Sequence, residues 1–278
     1  MIIDAHCHVW PDAIAARVLA GRPAGLAARH DGTVAGLLRT LDGAGIDMAV
    51  CLGVAAEARA LARTNEFIGA LDRQRFIPFG TVHPEVSVET NLASLQTNGI
   101  VGVKLHPLFQ QLSFRDPRVV ELMCALAEAG LPVLAHAGAG GSDADNERGA
   151  PEALRSLLDR VPSLRLIACH FGGYHRLTEA RQSIIGSTAF IETSWPPELS
   201  GLDLAEARAM IGRHGARRVV FGSDWPMTDP AAEIAAVRAL GLEPADEAAV
   251  LGGTIAELLS LNAAPGLPTP AVLDRNTP

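Results

Sequence analysis

Eight short runs of β-branched and apolar residues recur along this chain, and each is followed by a longer segment rich in Ala, Leu, Arg and Glu. The runs begin roughly 30 residues apart, which leaves room for one helix between successive strands. Such an alternation predicts βα units that build a parallel sheet. The predicted strands are residues 1–8, 48–54, 76–83, 101–106, 132–136, 164–170, 189–193 and 218–224.

Eight βα units in 278 residues predict an α/β fold, a (β/α)8 TIM barrel. It would form one domain over residues 1–262, with an extra C-terminal helix at 246–261. A doubly wound open sheet is the alternative, but its first strand usually feeds a glycine-rich turn and here it feeds His-Cys-His-Val-Trp. The helical segments are predicted at residues 34–44, 55–71, 87–98, 117–129, 151–160, 204–214 and 230–240.

The connections between these elements are uneven in length. Residues 9–33 form a long insert after the first strand, and the Gly-rich residues 137–150 are expected to be a flexible loop after the fifth. In barrels of this class the loops that follow the strands carry the active site. The Pro-rich residues 263–278 are expected to form a loose tail.

The composition limits the classes of molecule that the chain is expected to bind. Hydrophobic residues make up 48% of the chain and charged residues 19%, which is enough for a large core. The net charge of −8 argues against a nucleic-acid or anionic-membrane partner. From the sequence we expect no membrane span and no signal peptide, and the four cysteines are widely spaced. We therefore expect a cytoplasmic protein that acts on a small molecule.

Histidines collect where predicted strands end. Five of the nine close a strand, and His6 lies two residues before the first of them, on the same face. An aspartate, Asp224, closes the eighth strand. These carboxyl ends form the barrel rim where chemistry takes place. The five strand-ending histidines are His8, His83, His106, His136 and His170.

Strand alternation predicts that the polar faces point into the barrel. Asp4, His6 and His8 would share one face of the first strand, and His170 would share a face with Leu166 and Ala168 on the sixth. Buried polar groups need compensation, which a metal ion would supply. His6, His8, His136 and Asp224 would form a set of three nitrogens and one oxygen. That set suits Zn2+, with Mn2+, Fe2+ or Co2+ as alternatives.

The order of these motifs resembles the amidohydrolase superfamily, and within it the branch of aminocarboxymuconate-semialdehyde decarboxylase and related metal-dependent TIM-barrel hydrolases. The matching segments are Ile-Asp-Ala-His-Cys-His at 3–8, Gly-Val-Lys-Leu-His-Pro at 102–107, Pro-Val-Leu-Ala-His at 132–136, Ala-Cys-His-Phe-Gly-Gly at 168–173 and Phe-Gly-Ser-Asp-Trp-Pro at 221–226.

The resemblance implies roles for particular residues. His6, His8, His136 and Asp224 would be metal ligands, and His170 would be the catalytic histidine. In binuclear relatives His170 would instead bind a second metal, but relatives with a single metal are the better match. Relatives of this kind are often homodimers.

Lys104 is the single lysine among 23 basic residues, and it lies on the inward face of the fourth strand. Only a lysine amine can become carboxylated. Three interpretations remain open. Lys104 could form an ion pair inside the barrel or contact an anionic substrate group, it could be purely structural, or it could be a carboxylated bridge between two metals.

The expected reaction is hydrolysis of an ester, lactone or amide by water activated on the ion. Asp224 would accept the proton of the water, while His170 would orient the water and stabilise negative charge. Nonoxidative decarboxylation of an aromatic or muconate-type acid is the alternative, because it uses the same ligands. Substrate contacts are expected from Lys104, His106, Trp10, Trp225 and Tyr174, although Trp225 could instead pack a loop onto the barrel.

Overall fold

The computed structural model describes residues 1–21 and 26–261, and these residues form a parallel eight-stranded barrel. Neighbouring strands pair in the order β1 to β8. The ends of the sheet also meet. The backbone N–H of Ala5 donates to the carbonyl of Phe221 at 2.8 Å, and the backbone N–H of Asp224 donates to the carbonyl of His6 at 2.9 Å. The strands are β1 (Ile3–Cys7), β2 (Met48–Leu52), β3 (Phe76–Gly80), β4 (Gly102–Leu105), β5 (Val133–Ala135), β6 (Leu166–Ala168), β7 (Phe190–Glu192) and β8 (Val219–Val220).

The helices surround this sheet, so the predicted TIM-barrel class is confirmed. Each of the eight strands lies inside its predicted segment, and three helices match their predictions to the residue, at Val34–Ala44, Pro151–Arg160 and Leu204–His214. The helices are α1 (Asp12–Ala20), α2 (Val34–Ala44), α3 (Leu61–Gly69), α4 (Val88–Thr97), α5 (Pro117–Glu128), α6 (Asp143–Arg148), α7 (Pro151–Arg160), α8 (Leu177–Ser183), α9 (Leu204–His214), α10 (Pro230–Ala239), α11 (Pro244–Ala248) and α12 (Thr254–Leu258).

Side-chain capping explains why the starts of these helices can be predicted from the sequence. An oxygen of the residue preceding a helix accepts an N–H of its first turn, which would otherwise lack a partner. Proline opens several helices, where its missing N–H costs nothing. Side-chain caps of this kind are Thr33, Ser87, Asp116, Ser142, Asp203 and Asp229.

Two apolar layers pack on the sheet. The larger lies between the strands and the surrounding helices and includes Leu37 and Leu41 of α2. The smaller fills the barrel interior, where Ile3, Val50 and Phe79 meet Ile255 of α12. The C-terminal segment therefore closes the end of the barrel opposite the rim, which leaves the rim as the open end.

Two face assignments made from alternation were wrong. In β6, Leu166 and Ala168 lie in the outer layer, whereas Ile167 and Cys169 face the interior. In β1 the register shifts between Asp4 and Cys7, so strict alternation fails there. In each case the chain leaves regular strand geometry just before a site residue. A prediction from two-residue alternation does not detect such an irregularity.

Other expectations need correction. Residues 143–148 form a helix, α6, inside the segment expected to be a flexible loop. The last helix is interrupted by a π-helical turn, Ala249–Gly253, between α11 and α12. The expected tail at 263–278 lies outside the described residues. In the described part of the chain, no helix has the length and apolar character to cross a membrane.

Candidate active site

His6, His8 and Asp224 meet at the rim where β1 and the segment after β8 run side by side. The Nε2 atoms of His6 and His8 are 3.2 Å apart, and Asp224 Oδ1 lies 3.3 Å from His6 Nε2 and 3.6 Å from His8 Nε2. Asp224 is also tied to β1 through its backbone N–H, which donates to the His6 carbonyl at 2.9 Å. Main-chain pairing of the first and last elements thus brings these side chains together.

The spacing of these three atoms fits a single divalent cation. With metal–ligand distances of about 2.0–2.1 Å, two ligands of a tetrahedral ion are about 3.3 Å apart. The three atoms all lie within 4.8 Å of one another. A carboxylate oxygen and two imidazole nitrogens are donors that Zn2+ and related ions accept.

The hydrogen bonds of His6 orient its ring for such an ion. Its Nδ1 lies 3.0 Å from Glu192 Oε2, which can only accept, so Nδ1 carries the ring hydrogen. Burial lowers the pKa of His6 well below its usual value, so the ring is neutral and Nε2 holds a lone pair. The Nζ of Lys104, a group that can only donate, lies 3.3 Å from that lone pair.

His136 and His170 form a second pair beside the first. His170 Nδ1 lies 2.8 Å from Ser194 Oγ and 3.2 Å from the Ser194 carbonyl oxygen, so it carries the hydrogen. Its Nε2 then accepts from His136 Nδ1 at 3.1 Å. The Nε2 of His136 is left with its lone pair, buried and without a hydrogen-bond partner in the described part of the chain. Such an atom is suited to an ion, but His136 lies outside the group formed by His6, His8 and Asp224.

Two of the site residues sit on left-handed backbone. His170 has φ 57° and Asp224 has φ 66°, a region that residues other than glycine seldom adopt. His170 lies just beyond Cys169 in the segment after β6, and Asp224 lies in the segment after β8. Backbone of this kind persists only where surrounding contacts enforce it, and it is concentrated at functional sites.

Asp4 supports the rim from below. It is fully buried and accepts from the backbone N–H of His6 at 3.1 Å, from the N–H of Ser223 at 2.9 Å and from Ser223 Oγ at 2.6 Å. It thereby ties the histidine-bearing strand to the segment that carries Asp224.

His106 lies in a stack of parallel rings at the end of β4. Its ring centroid is 4.3 Å from that of His136 on one face and 3.9 Å from that of Phe109 on the other. Gln110 Oε1 accepts the His106 backbone N–H at 2.9 Å. The Nδ1 of His106 is buried without a partner among the described residues.

Aromatic side chains accompany the rim histidines. Trp10 stacks beside His8 at 6.0 Å, and Tyr174 lies 5.3 Å from His170 and 5.1 Å from Trp195. Trp225, in contrast, is fully buried, with its nearest ring partner His30 at 5.7 Å. The structure therefore favours the packing role for Trp225.

Lys104 lies beneath the rim rather than in its mouth. It is fully buried, and its Nζ donates to Cys169 Sγ at 3.3 Å as well as facing His6. No carboxylate of the described residues forms an ion pair with it. Its surroundings at this depth do not match a simple ion pair, and a substrate contact would have to pass His6.

Sequence reasoning assigns no role to two residues of the site: it leaves open whether Glu192 faces the pocket or a helix, and it does not single out Ser194. Both are fully buried and contact His6 or His170. The available signal was Glu192, an acidic residue that ends the otherwise apolar strand Phe190–Glu192. A strand of this length does not show from its sequence which of its faces points inward. Ile191 packs in the outer layer, which places Glu192 on the inner face.

A barrel with histidines and an aspartate converging at its open rim defines a TIM-barrel enzyme. The profile of the amidohydrolase family matches residues 3–261. The chain therefore belongs to the amidohydrolase family, and it is an enzyme of that superfamily. The search of curated proteins found no match to this chain.

Solved structures share this fold at low identity. An uncharacterized TIM-barrel protein from Bordetella bronchiseptica has a TM-score of 0.74 and 18% identity, covering 95% of this chain and 99% of that one. A dihydroxybenzoic acid decarboxylase from Polaromonas, with bound manganese and the inhibitor 2-nitroresorcinol, has a TM-score of 0.73 and 17% identity, covering 95% and 98%. A putative 2-pyrone-4,6-dicarboxylic acid hydrolase from Pseudomonas putida has a TM-score of 0.67 and 21% identity, covering 92% and 96%.

Proposed function

We propose that this enzyme is a metal-dependent hydrolase that cleaves an ester, lactone or amide bond of a small molecule. The observation that carries this proposal is the convergence of Asp224 Oδ1 with the Nε2 atoms of His6 and His8. A carboxylate in this position can both help to hold an ion and accept a proton from a nearby water. His136 completes the proposed ligand set through its Nε2, which has no hydrogen-bond partner among residues 1–21 and 26–261.

A divalent ion, when bound, supplies Lewis acidity that polarises a carbonyl oxygen and lowers the pKa of water. We propose Zn2+ on the basis of the imidazole and carboxylate donors, with Mn2+, Fe2+ or Co2+ as alternatives. The manganese in the Polaromonas decarboxylase supports the wider choice of ions.

The chain's own residues divide the proton transfers. Asp224 takes the proton of the attacking water and returns it to the leaving group. The Nδ1 hydrogen of His170 is held by Ser194, and the lone pair of its Nε2 accepts from His136 Nδ1. His170 would orient a water that replaces His136 as the donor to Nε2, and it could stabilise an oxyanion only after gaining a second proton.

The aromatic residues at the mouth are proposed to bind the substrate. Trp10, Phe109 and Tyr174 each flank a rim histidine, so a flat molecule could stack among them. His106 would contact a polar substituent of the substrate through its unpartnered Nδ1. Lys104 would contribute charge from beneath His6.

Decarboxylation of an aromatic acid is the second candidate function. The same aromatic flanks favour it, and similar structures include decarboxylases as well as a putative hydrolase. A panel of lactones and esters, assayed beside 2,6-dihydroxybenzoate and related benzoates, separates the two. Acid release without CO2 supports the hydrolase, whereas CO2 release from a benzoate contradicts it and supports the decarboxylase.

Replacing His170 with alanine should lower kcat by about 100-fold or more while leaving metal content near the wild-type level. The reason is that His170 orients the reacting water but does not belong to the group of three converging ligand atoms. Metal analysis of the purified variant, paired with kcat on the best substrate of the panel, checks this. Loss of the ion would instead show that His170 helps to hold the metal, either as a ligand or as the partner of His136 Nδ1.

A further inference from the structure

One carboxylate beneath the rim contacts both pairs of histidines. Glu192 is fully buried at the end of β7, and its Oε2 lies 3.0 Å from His6 Nδ1. The same oxygen accepts from Ser194 Oγ at 2.9 Å and from the backbone N–H of His170 at 3.3 Å. Its other oxygen accepts the backbone N–H of Ser194. All of these contacts are donated to the carboxylate, which has only acceptors to offer.

These contacts determine where the hydrogen of His6 resides. With Nδ1–H directed at Glu192, Nε2 must present its lone pair. Lys104 supports the same arrangement, because its ammonium donates toward Nε2 at 3.3 Å. The competing arrangement would place the hydrogen on Nε2, where Asp224 Oδ1 could accept it at 3.3 Å. Glu192 offers the shorter and more deeply buried acceptor, so Nδ1 keeps the hydrogen.

Glu192 also contacts His170 indirectly, through the side chain of Ser194. Because the Ser194 hydroxyl donates to Glu192, its oxygen is free to accept from His170 Nδ1 at 2.8 Å. Together with the contact to the His170 backbone, this holds the left-handed residue that follows β6. One carboxylate thus connects His6 with the proposed catalytic histidine.

The backbone around Glu192 is shaped to admit it. A Cβ atom placed on Gly222, after β8, would lie 2.3 Å from Glu192 Oε1. Gly222 therefore leaves the space that the carboxylate occupies between β7 and the segment leading to Asp224.

We propose that Glu192 is a positioning residue that holds the hydrogen of His6 on Nδ1, so that Nε2 faces the site as a lone pair, and that anchors His170 through Ser194. Its effect on metal affinity rests on the proposed function. Its effect on the ring hydrogen of His6 does not, because that is a property of the metal-free protein.

The direct test is the ring-nitrogen NMR spectrum of metal-free protein labelled with 15N-histidine. The His6 resonances are assigned as those absent from the His6→Ala variant. We expect wild-type His6 to carry its hydrogen on Nδ1. A hydrogen on Nε2 in the wild type would overturn the proposal, whatever the Glu192 variant does.

Glu192→Gln should move the His6 hydrogen to Nε2. The amide either donates to Nδ1 or offers only a neutral oxygen, while the Asp224 carboxylate remains 3.3 Å from Nε2. We expect Mn2+ affinity, measured by titration of the metal-free protein, to fall about 10- to 100-fold, as is usual when the partner of a ligand histidine is removed. An unchanged His6 spectrum in the folded variant would overturn the positioning role.

Glu233→Gln is the matched control. Glu233 is another buried glutamate that accepts a backbone N–H, that of Leu199, but it does not contact the rim histidines. This variant should keep the wild-type His6 spectrum and Mn2+ affinity. If it shifted both as Glu192→Gln does, the effect would be a general response to losing a buried carboxylate. A wild type with the hydrogen on Nδ1 but no Mn2+ binding would refute the proposed function and leave the positioning role standing.

Discussion

Replacing Asp224 with asparagine is expected to lower kcat/KM by about 100- to 10,000-fold, the range attributed to a positioned acid or base. The amide preserves the shape of the side chain and one oxygen near His6 and His8. It loses the negative charge and the ability to accept a proton. The measurement is steady-state kinetics with zinc- or manganese-loaded protein on the best substrate found among lactones, esters and benzoates.

Asp203→Asn is a suitable control for Asp224→Asn. Asp203 caps α9 by accepting the N–H of Ala205, and asparagine caps helices about as well as aspartate. Its activity should match that of the wild type. If Asp224→Asn retained activity within about tenfold of the wild type while Asp203→Asn behaved as expected, Asp224 would not be the proton acceptor.

The contribution of one buried acid outside the site, Glu233, to stability is expected to decline as pH rises from about 5 to 8. Several buried histidines of the site act in the opposite direction, because burial lowers their pKa, so this contribution is read from the difference between a Glu233 variant and the wild type. Glu233 is 1% exposed on α10, and both its oxygens lie within 3.2 Å of the backbone nitrogen of Leu199. Burial raises its pKa to about 8, and the negative charges of Asp4, Glu192 and Glu198 act in the same direction.

The sign follows from proton counting. Between pH 4.5 and about 8 the unfolded chain has released the Glu233 proton and the folded chain retains it. At this group the folded state therefore binds more protons, so the part of the unfolding free energy that Glu233 contributes falls as pH rises. The contribution is complete below pH 4.5 and is lost as pH approaches 8. At about 1.4 kcal/mol per pH unit, the whole change is at most about 4–5 kcal/mol.

Glu233→Gln should remove this dependence. We expect the unfolding free energy of the variant, relative to the wild type, to increase by several kcal/mol from pH 5 to pH 8 (about 4 at most). Urea denaturation of metal-free protein at each pH measures it, and Glu89→Gln on the exposed side of α4 should run parallel to the wild type. Parallel curves for Glu233→Gln and the wild type would show that Glu233 titrates near its ordinary pKa.

Much of the barrel could be predicted from local pattern. Alternating apolar runs and helix-length segments define βα units, and capping residues such as Thr33 and Asp203 mark helix starts within one residue. The alternation failed in β6, where Cys169 rather than Ala168 faces inward. The inner face of a strand only three residues long depends on its neighbours in the barrel, which no local period encodes.

The candidate site was predictable where motif and strand end coincide. The pairing of His6 with His8 follows from their spacing on a strand, and the arrival of Asp224 beside them follows from barrel closure. Glu192 was not predictable in the same way, because its contact with His6 spans 186 positions of sequence. For Trp225 the sequence left two roles open, since an aromatic residue at a strand end can fill the fold as readily as line its mouth, and its full burial favours the first.

The most direct test of the account is the metal content of protein purified after growth with added zinc or manganese. We predict about one divalent ion per chain in the wild type. The ion should be lost when His6 and His8 are both replaced by alanine, in a variant whose circular dichroism shows an intact barrel. Fewer than about 0.3 ions per chain in the wild type, or an ion retained by the double variant, would contradict a metal centre built on these residues.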